Sequence, residues 1–420
     1  MWQKKRSRTL LNILLIILII IVACAMYMGY SYISAKQKAQ DEELVSLATQ
    51  SRQDSQLAKE ESYEQLDIAY QKDVDTVAQY MPGIVCWGDI LTQGTASGIS
   101  YPGTLRDLID RYIVDRYSFK STLDDPYQYT RVDWSSYKVS IPVVNMGTGS
   151  ESTYTILGRS GIVPYVLTRE LTIPASCETV QVYFSASYND RSYTVKPLIK
   201  GDGGVNPVII NGVEGTLSAD PDSYSTYSDG YYYFTRSEPG IEVVCEKGTE
   251  IVTAASNLYK DYIHVIYIGT YGQYDDAEDL QEQIGTLLSR QTSNTDRFII
   301  VGVCSGPKTS SSFYEQFSAI MTQKYGSHFL DFRRYLITEG FTDLDITPTA
   351  RDTSYIKYGN MPESFYLTGS TTEFKPAVYE RLGQLIFDRM DSLGYFDEIR
   401  DELCIDSVSA INASLQTAQK

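Results

Sequence analysis

Hydrolytic chemistry needs an oxygen or sulfur nucleophile within hydrogen-bond reach of a base, and this chain is short of bases. Its two histidines are His264 and His328. Each immediately precedes an apolar run, Val265-Ile266-Tyr267-Ile268 and Phe329-Leu330-Asp331-Phe332, so both should stand near the amino ends of strands. Ligand sites in open parallel sheets lie at the carboxyl ends, and the two histidines therefore read as exposed or locally hydrogen-bonded residues. Ser305, in Cys304-Ser305-Gly306, is the one well-placed hydroxyl and, without a base, reads as a turn residue. Asp89, Glu151, Asp275, Asp276 and Glu373 could supply the carboxylate pair of a glycosidase, although Glu151 reads as a first-turn helix residue favoured by the helix dipole. No cysteine pair has metal-ligand spacing, so neither a zinc site nor any other cofactor is expected.

These side chains need elements to hold them. Apolar runs at 84-87, 142-144, 265-268 and 298-303 alternate with helical periodicity at 105-117, 280-288, 313-325 and 375-390. Near-continuous apolar strands imply a parallel sheet covered by helices on both faces, an α/β architecture. The texture changes over residues 163-258, where runs at 180-184, 194-199, 207-210, 231-234 and 241-244 are separated by Gly, Asn, Asp and Ser. Short strands with turn signals and no helical window predict a small all-β domain inserted between the second and third strands of the sheet. Its two ends must lie close together, because the sheet continues on either side. The α/β unit then comprises 83-162 and 259-395, followed by a tail at 396-420. Cys86 and Cys304 read as buried thiols; Cys177 and Cys245 share the insert, and a disulfide between them is left open.

Four segments, in order, resemble the blocks of the SGNH (GDSL) hydrolases. Gly88-Asp89-Ile90-Leu91-Thr92-Gln93-Gly94 is similar to Gly-Asp-Ser-Leu-Thr-x-Gly, with Ile90 where the nucleophilic serine belongs. The stretch Asn145 to Ser152 resembles the second block, with Ser150, beside Gly149, matching the family's oxyanion glycine. Gly269-Thr270-Tyr271-Gly272 resembles the third, and Tyr271 replaces the asparagine that donates to the oxyanion. Counting back from Tyr379-x-x-Leu382-Gly383 sets Ser370 and Glu373 at the aspartate and histidine of the fourth, Asp-x-x-His. The resemblance implies an SGNH-hydrolase-like (flavodoxin-like) fold in which Asp89 organises the turn after the first strand. It also implies a vestigial cleft of Gly88, Asp89, Ile90, Gly149, Ser150, Tyr271, Ser370 and Glu373, with no catalytic residue. A sec-butyl side chain cannot attack an ester, and Ile90 with Tyr271 is expected to leave the former site apolar and partly filled.

Residues 10-31 are uncharged and largely apolar, and ~22 residues rising ~1.5 Å each span a hydrocarbon core. Lys4, Lys5, Arg6 and Arg8 lie in the 1-9 segment, which places that end in the cytoplasm and the rest outside the cell membrane. Ile21-Val22-Ala23-Cys24 also resembles a lipobox, but the apolar run continues through Tyr30 and favours a single-pass signal anchor. Residues 36-80 contain neither Pro nor Gly and end at Met81-Pro82-Gly83, so 32-82 is expected to be a helical stalk. A net charge of -17 repels nucleic acid and anionic wall polymers and suits a solvated exterior. Among 35 tyrosines, Tyr227, Tyr231, Tyr232 and Tyr233 read as a recognition edge, since tyrosine offers rigid amphipathic contact area. The expectation is a membrane-anchored extracellular pseudoenzyme that binds a surface polysaccharide or an envelope protein. A carbohydrate esterase using non-standard residues and a scaffold of a membrane complex are the alternatives.

Overall fold

A computed structural model describes residues 2-114, 140-188, 191-193, 204-219, 232-292, 296-305 and 310-402. It divides into two compact units, Met1–Lys72 and Asp73–Lys420. Helix α1 (Trp2–Tyr80) accounts for the first. Its large apolar side chains from Leu10 to Ile33 are exposed, and the helix is long and apolar enough to cross a membrane. The segment read as an anchor at 10-31 and the one read as a stalk at 32-82 run, as far as Tyr80, in one helix, because no proline or glycine between 36 and 80 interrupts its hydrogen-bond ladder.

In the second unit β1 (Ile84–Gly88), β2 (Val143–Gly147), β3 (Ile263–Tyr267), β4 (Phe298–Val301) and β5 (Phe329–Leu330) form a sheet in the order 5-4-3-1-2. Every neighbouring pair is parallel. This is the doubly wound order 2-1-3-4-5, with its topological switch between β1 and β3. Helices α2 (Ile90–Gln93), α3 (Tyr101–Ile109), α4 (Thr153–Arg159), α5 (Ala277–Leu288), α6 (Ser311–Tyr325), α7 (Ala350–Lys357) and α8 (Pro376–Ser392) connect and flank the strands. Alternation along β1 sends Cys86 toward Tyr101 of α3 and Trp87 into the core shared with α4 and α5, so both faces of the strand are covered. On the α3 side Gly383 lets α8 approach closely, since a Cβ there would stand 2.6 Å from Thr104.

Residues 163-258 carry an eight-stranded antiparallel sheet. Its spatial order is Val180–Val182, Tyr232–Arg236, Val213–Ala219, Val208–Ile210, Glu250–Val252, Tyr165–Leu167, Phe184–Tyr188, Arg191–Tyr193. Leu171–Ile173 and Val243–Cys245 pair separately. The expected run at 194-199 lies outside the described residues. The ends of the insert do meet: Thr253 Oγ1 donates to the Arg159 carbonyl at 3.1 Å, and a Cβ on Gly161, at φ +77°, would come within 2.2 Å of Ser256.

Among the described residues the insert shares its core with the sheet unit. Tyr165, Phe184, Leu217 and Phe234 belong to one apolar cluster with Trp87, Tyr154, Ile266 and Leu280. Gly158 makes the junction, since a side chain there would run into the Tyr165 ring at 2.2 Å. The sheet unit also continues past residue 395 into the segment read as a tail, for Phe396 and Ile399 are fully buried and Glu398 pairs with Arg297. Cys177 is exposed, Cys245 is buried and both are free, so no disulfide joins them; Cys404 lies outside the described residues.

Candidate functional site

The four blocks meet at the carboxyl ends of β1, β2 and β3, where open parallel sheets place their ligands. Gly88 ends β1 without a side chain because a Cβ would press on Thr92 Oγ1 at 2.0 Å and on the Tyr267 carbonyl at 2.5 Å. Asp89 then caps α2: its Oδ1 accepts from the Leu91 amide at 3.0 Å and its Oδ2 from the Thr270 amide at 3.3 Å. Thr270 Oγ1 lies beside this carboxyl without a well-aligned hydrogen bond. Burial raises the Asp89 pKa to about 7, against the pull of those amides, and the Glu151 carboxylate adds to the rise. Asp89 is therefore the turn organiser that joins β1 to the loop after β3.

Ile90 occupies the first position of α2 and is half-buried, whereas Leu91 and Thr92 behind it are enclosed. The expectation that Ile90 plugs the site is only half met, because the first residue of a capped turn faces outward. The second block is tied to the first through Gln93, whose Oε1 accepts from the Gly149 amide at 2.8 Å. That amide is thus engaged by the protein itself. Ser150, matched to a glycine, holds φ +68°, a left-handed conformation that costs a non-glycine residue about 1-2 kcal/mol.

Glu151 is not a first-turn residue: Ser152 is the N-cap of α4. The Glu151 carboxylate instead pairs with Arg159 at 2.6 Å, both side chains fully enclosed. Burial pushes the Glu151 carboxyl up, while Arg159 holds it down. Arg159 also donates to the Met146 carbonyl at 2.7 Å and lies over the Trp87 ring. Asp276 is likewise structural, capping α5 through the Asp279 amide at 2.9 Å. Two of the five candidate carboxylates, Glu151 and Asp276, are thus held in structural roles.

Tyr271, half-buried, brings the third block against the second and fourth, its hydroxyl meeting Thr372 and Ser150; burial raises its pKa. Ser370 Oγ accepts from the Thr372 amide at 3.2 Å and the Glu373 amide at 2.9 Å, which closes its own turn. The pair matched to Asp-x-x-His is thus joined through backbone, with Glu373 partly exposed. Both histidines stay at the amino ends. His264 is buried rather than exposed, its Nε2 against the Tyr259 carbonyl at 3.2 Å, and burial lowers its pKa to about 4. His328 Nδ1 lies 2.9 Å from the Tyr395 hydroxyl.

Beside these blocks opens a cleft of about 390 Å³ whose wall includes Thr270, Ser305, Tyr314, Arg333, Tyr366 and Ser370. Sequence reasoning missed Arg333, Tyr314 and Tyr366. The signal for Arg333 was its place, three residues past the carboxyl end of β5. Of the tyrosine edge read at 227, 231, 232 and 233, one residue is corrected by the structure. Tyr232 points into the core, its ring 4.8 Å from that of Phe184, because residues 232, 234 and 236 share the inward face of their strand. Tyr233 is partly exposed on the other face, and Tyr227 and Tyr231 lie outside the described residues. Among the described residues no three His, Cys, Asp or Glu side chains are grouped to hold a metal ion. Comparison with known proteins adds no relative: no family model, no curated protein and no solved structure matches this chain.

Proposed function

We propose that this chain is a membrane-anchored, extracytoplasmic protein of SGNH-hydrolase-like fold that does not hydrolyse esters and whose cleft binds a cell-surface glycan. The observation that carries the reading is the state of the β1 turn. Ile90 stands at the nucleophile position, Asp89 is committed to two backbone amides, and the amide of Ser150, matched to the oxyanion glycine, meets the Tyr271 hydroxyl, beside the Gly149 amide held by Gln93. Each group that would perform or stabilise acyl transfer is absent or already bonded. The cleft volume of about 390 Å³ and its tyrosine lining suit a small ligand with apolar faces and polar edges, as a sugar ring has. The cationic residues before α1's apolar stretch support an outward-facing C-terminal unit.

Two experiments test this reading. Protease shaving of intact cells should degrade the C-terminal unit; survival until lysis would overturn the topology. The full-length chain in detergent, screened against a panel of surface glycans and aryl and sugar acetates, should bind a glycan and release no acetate. Acetate release lost on mutating one cleft residue would restore the esterase reading, and capture of an envelope protein with no glycan bound would replace the ligand class.

A further inference from the structure

The cleft wall contains a cation that no carboxylate among the described residues pairs with. Arg333, 7% exposed, donates to the Cys304 carbonyl at 2.8 Å and to the Gly359 carbonyl, and stacks 3.8 Å over the Tyr314 ring. Those partners are neutral, and among the described residues no carboxylate forms an ion pair with it. Buried cations are ordinarily paired. Around the same cleft the Thr270, Ser305 and Tyr366 hydroxyls are enclosed without a well-aligned hydrogen bond, Thr270 beside the Asp89 carboxyl and Ser305 against Tyr366. Thr270 and Tyr366 are only 6% and 4% exposed. Glu363, the one acidic residue among the described lining, is already met by Arg351 at 2.8 Å and by the Tyr355 hydroxyl at 2.7 Å.

We propose that this cleft binds an oxyanion, a carboxylate or phosphate carried on a small polar molecule, with Arg333 as counterion and the Ser305, Thr270 and Tyr366 hydroxyls as donors. A guanidinium together with hydroxyls that can turn their protons toward one point is a general recognition set for such groups. The net charge of -17 opposes a polyanion, so the ligand is a single small anion. The inference rests on the binding role proposed above and narrows it to an acidic sugar or a sugar phosphate.

The test is calorimetric titration of the full-length chain in neutral detergent with D-glucuronate, sodium acetate, inorganic phosphate and D-glucose. Saturable binding of glucuronate or phosphate, with glucose at least about tenfold weaker, is expected; a charge-assisted hydrogen bond is worth at least that factor. Glucuronate above phosphate assigns a sugar carboxylate, and phosphate above glucuronate a phosphate ester. Arg333→Lys, which breaks the fork geometry, should weaken binding about tenfold. Because Arg333 also holds two carbonyls, Ser305→Ala serves as the second variant, removing a hydroxyl whose neighbour is the Tyr366 side chain and not backbone; it should keep the melting temperature of the ligand-free chain and lose affinity severalfold. Equal binding of glucose and glucuronate would overturn the anion proposal while leaving the glycan reading intact. Heat from none of the anions, or unchanged affinity in both folded variants, would overturn it as well.

Discussion

Replacing Ile90 by serine supplies the oxygen carried at that place in the block it resembles and, on the proposed reading, should supply no activity. Full burial of an isoleucine contributes about 1.5-3 kcal/mol; Ile90 is half-buried, so its loss should cost about 1 kcal/mol and lower the melting temperature by about 2 °C. The new hydroxyl would stand beside Asp89, whose two oxygens already accept from Leu91 and Thr270 amides. The nearer histidine by strand register, His264, lies three residues before the end of β3, about 10 Å back along the strand, with Nε2 against a backbone carbonyl. A serine without a base gains no reactivity toward esters. The assay is p-nitrophenyl acetate hydrolysis by the full-length variant in detergent, beside a thermal melt. Turnover above the wild-type blank that vanishes in Ile90→Ser/Asp89→Asn would show that Asp89 serves as base and refute the reasoning; a melting point lowered by more than about 8 °C would show that Ile90 is core.

Glu151→Gln should destabilise the chain by about 3-5 kcal/mol, since it strands the enclosed Arg159 charge; urea unfolding that shifts by less than 1 kcal/mol would contradict the buried pair. Gly158→Ala drives a methyl into the Tyr165 ring, 2.2 Å away, and should cost about 1-3 kcal/mol, with an unchanged melt arguing against the α4 junction. Asp89 has a folded pKa raised to about 7, so between pH 4 and 7 the folded state holds a proton that the unfolded state has lost, and its contribution to stability falls as pH rises. His264, lowered to about 4, has the opposite sign over pH 4 to 6.5. The informative quantity is therefore wild type minus Asp89→Asn, in which His264 cancels: that difference should decline from pH 4 to 7, and a flat difference would deny the Asp89 shift.

The parallel sheet was legible because strands buried on both faces leave unbroken apolar runs, as at Ile84–Gly88 and Ile263–Tyr267, every residue of which is enclosed. Strands of the insert were harder: Val213–Ala219 alternates buried and exposed residues, and three-residue strands such as Glu250–Val252 carry no period at all. The sharing of one core by insert and sheet depends on Gly158 and Tyr165 meeting in space, which no local pattern encodes. In the site, the turn at Asp89 could be read from the block it resembles. The cleft could not, since Thr270, Ser305, Arg333 and Tyr366 come from four different connections. Tyr232 was misread because composition is blind to the two-residue alternation that turns it inward.

The central claim is a site that binds without turning over, and one saturation-transfer NMR titration of the full-length chain in detergent with an O-acetylated glucuronate reads both properties in the same tube. Saturable transfer to the ring protons, with no free acetate signal growing above the protein-free control, is the predicted result. Acetate that accumulates in proportion to the protein, or a ligand that receives no saturation, would contradict it.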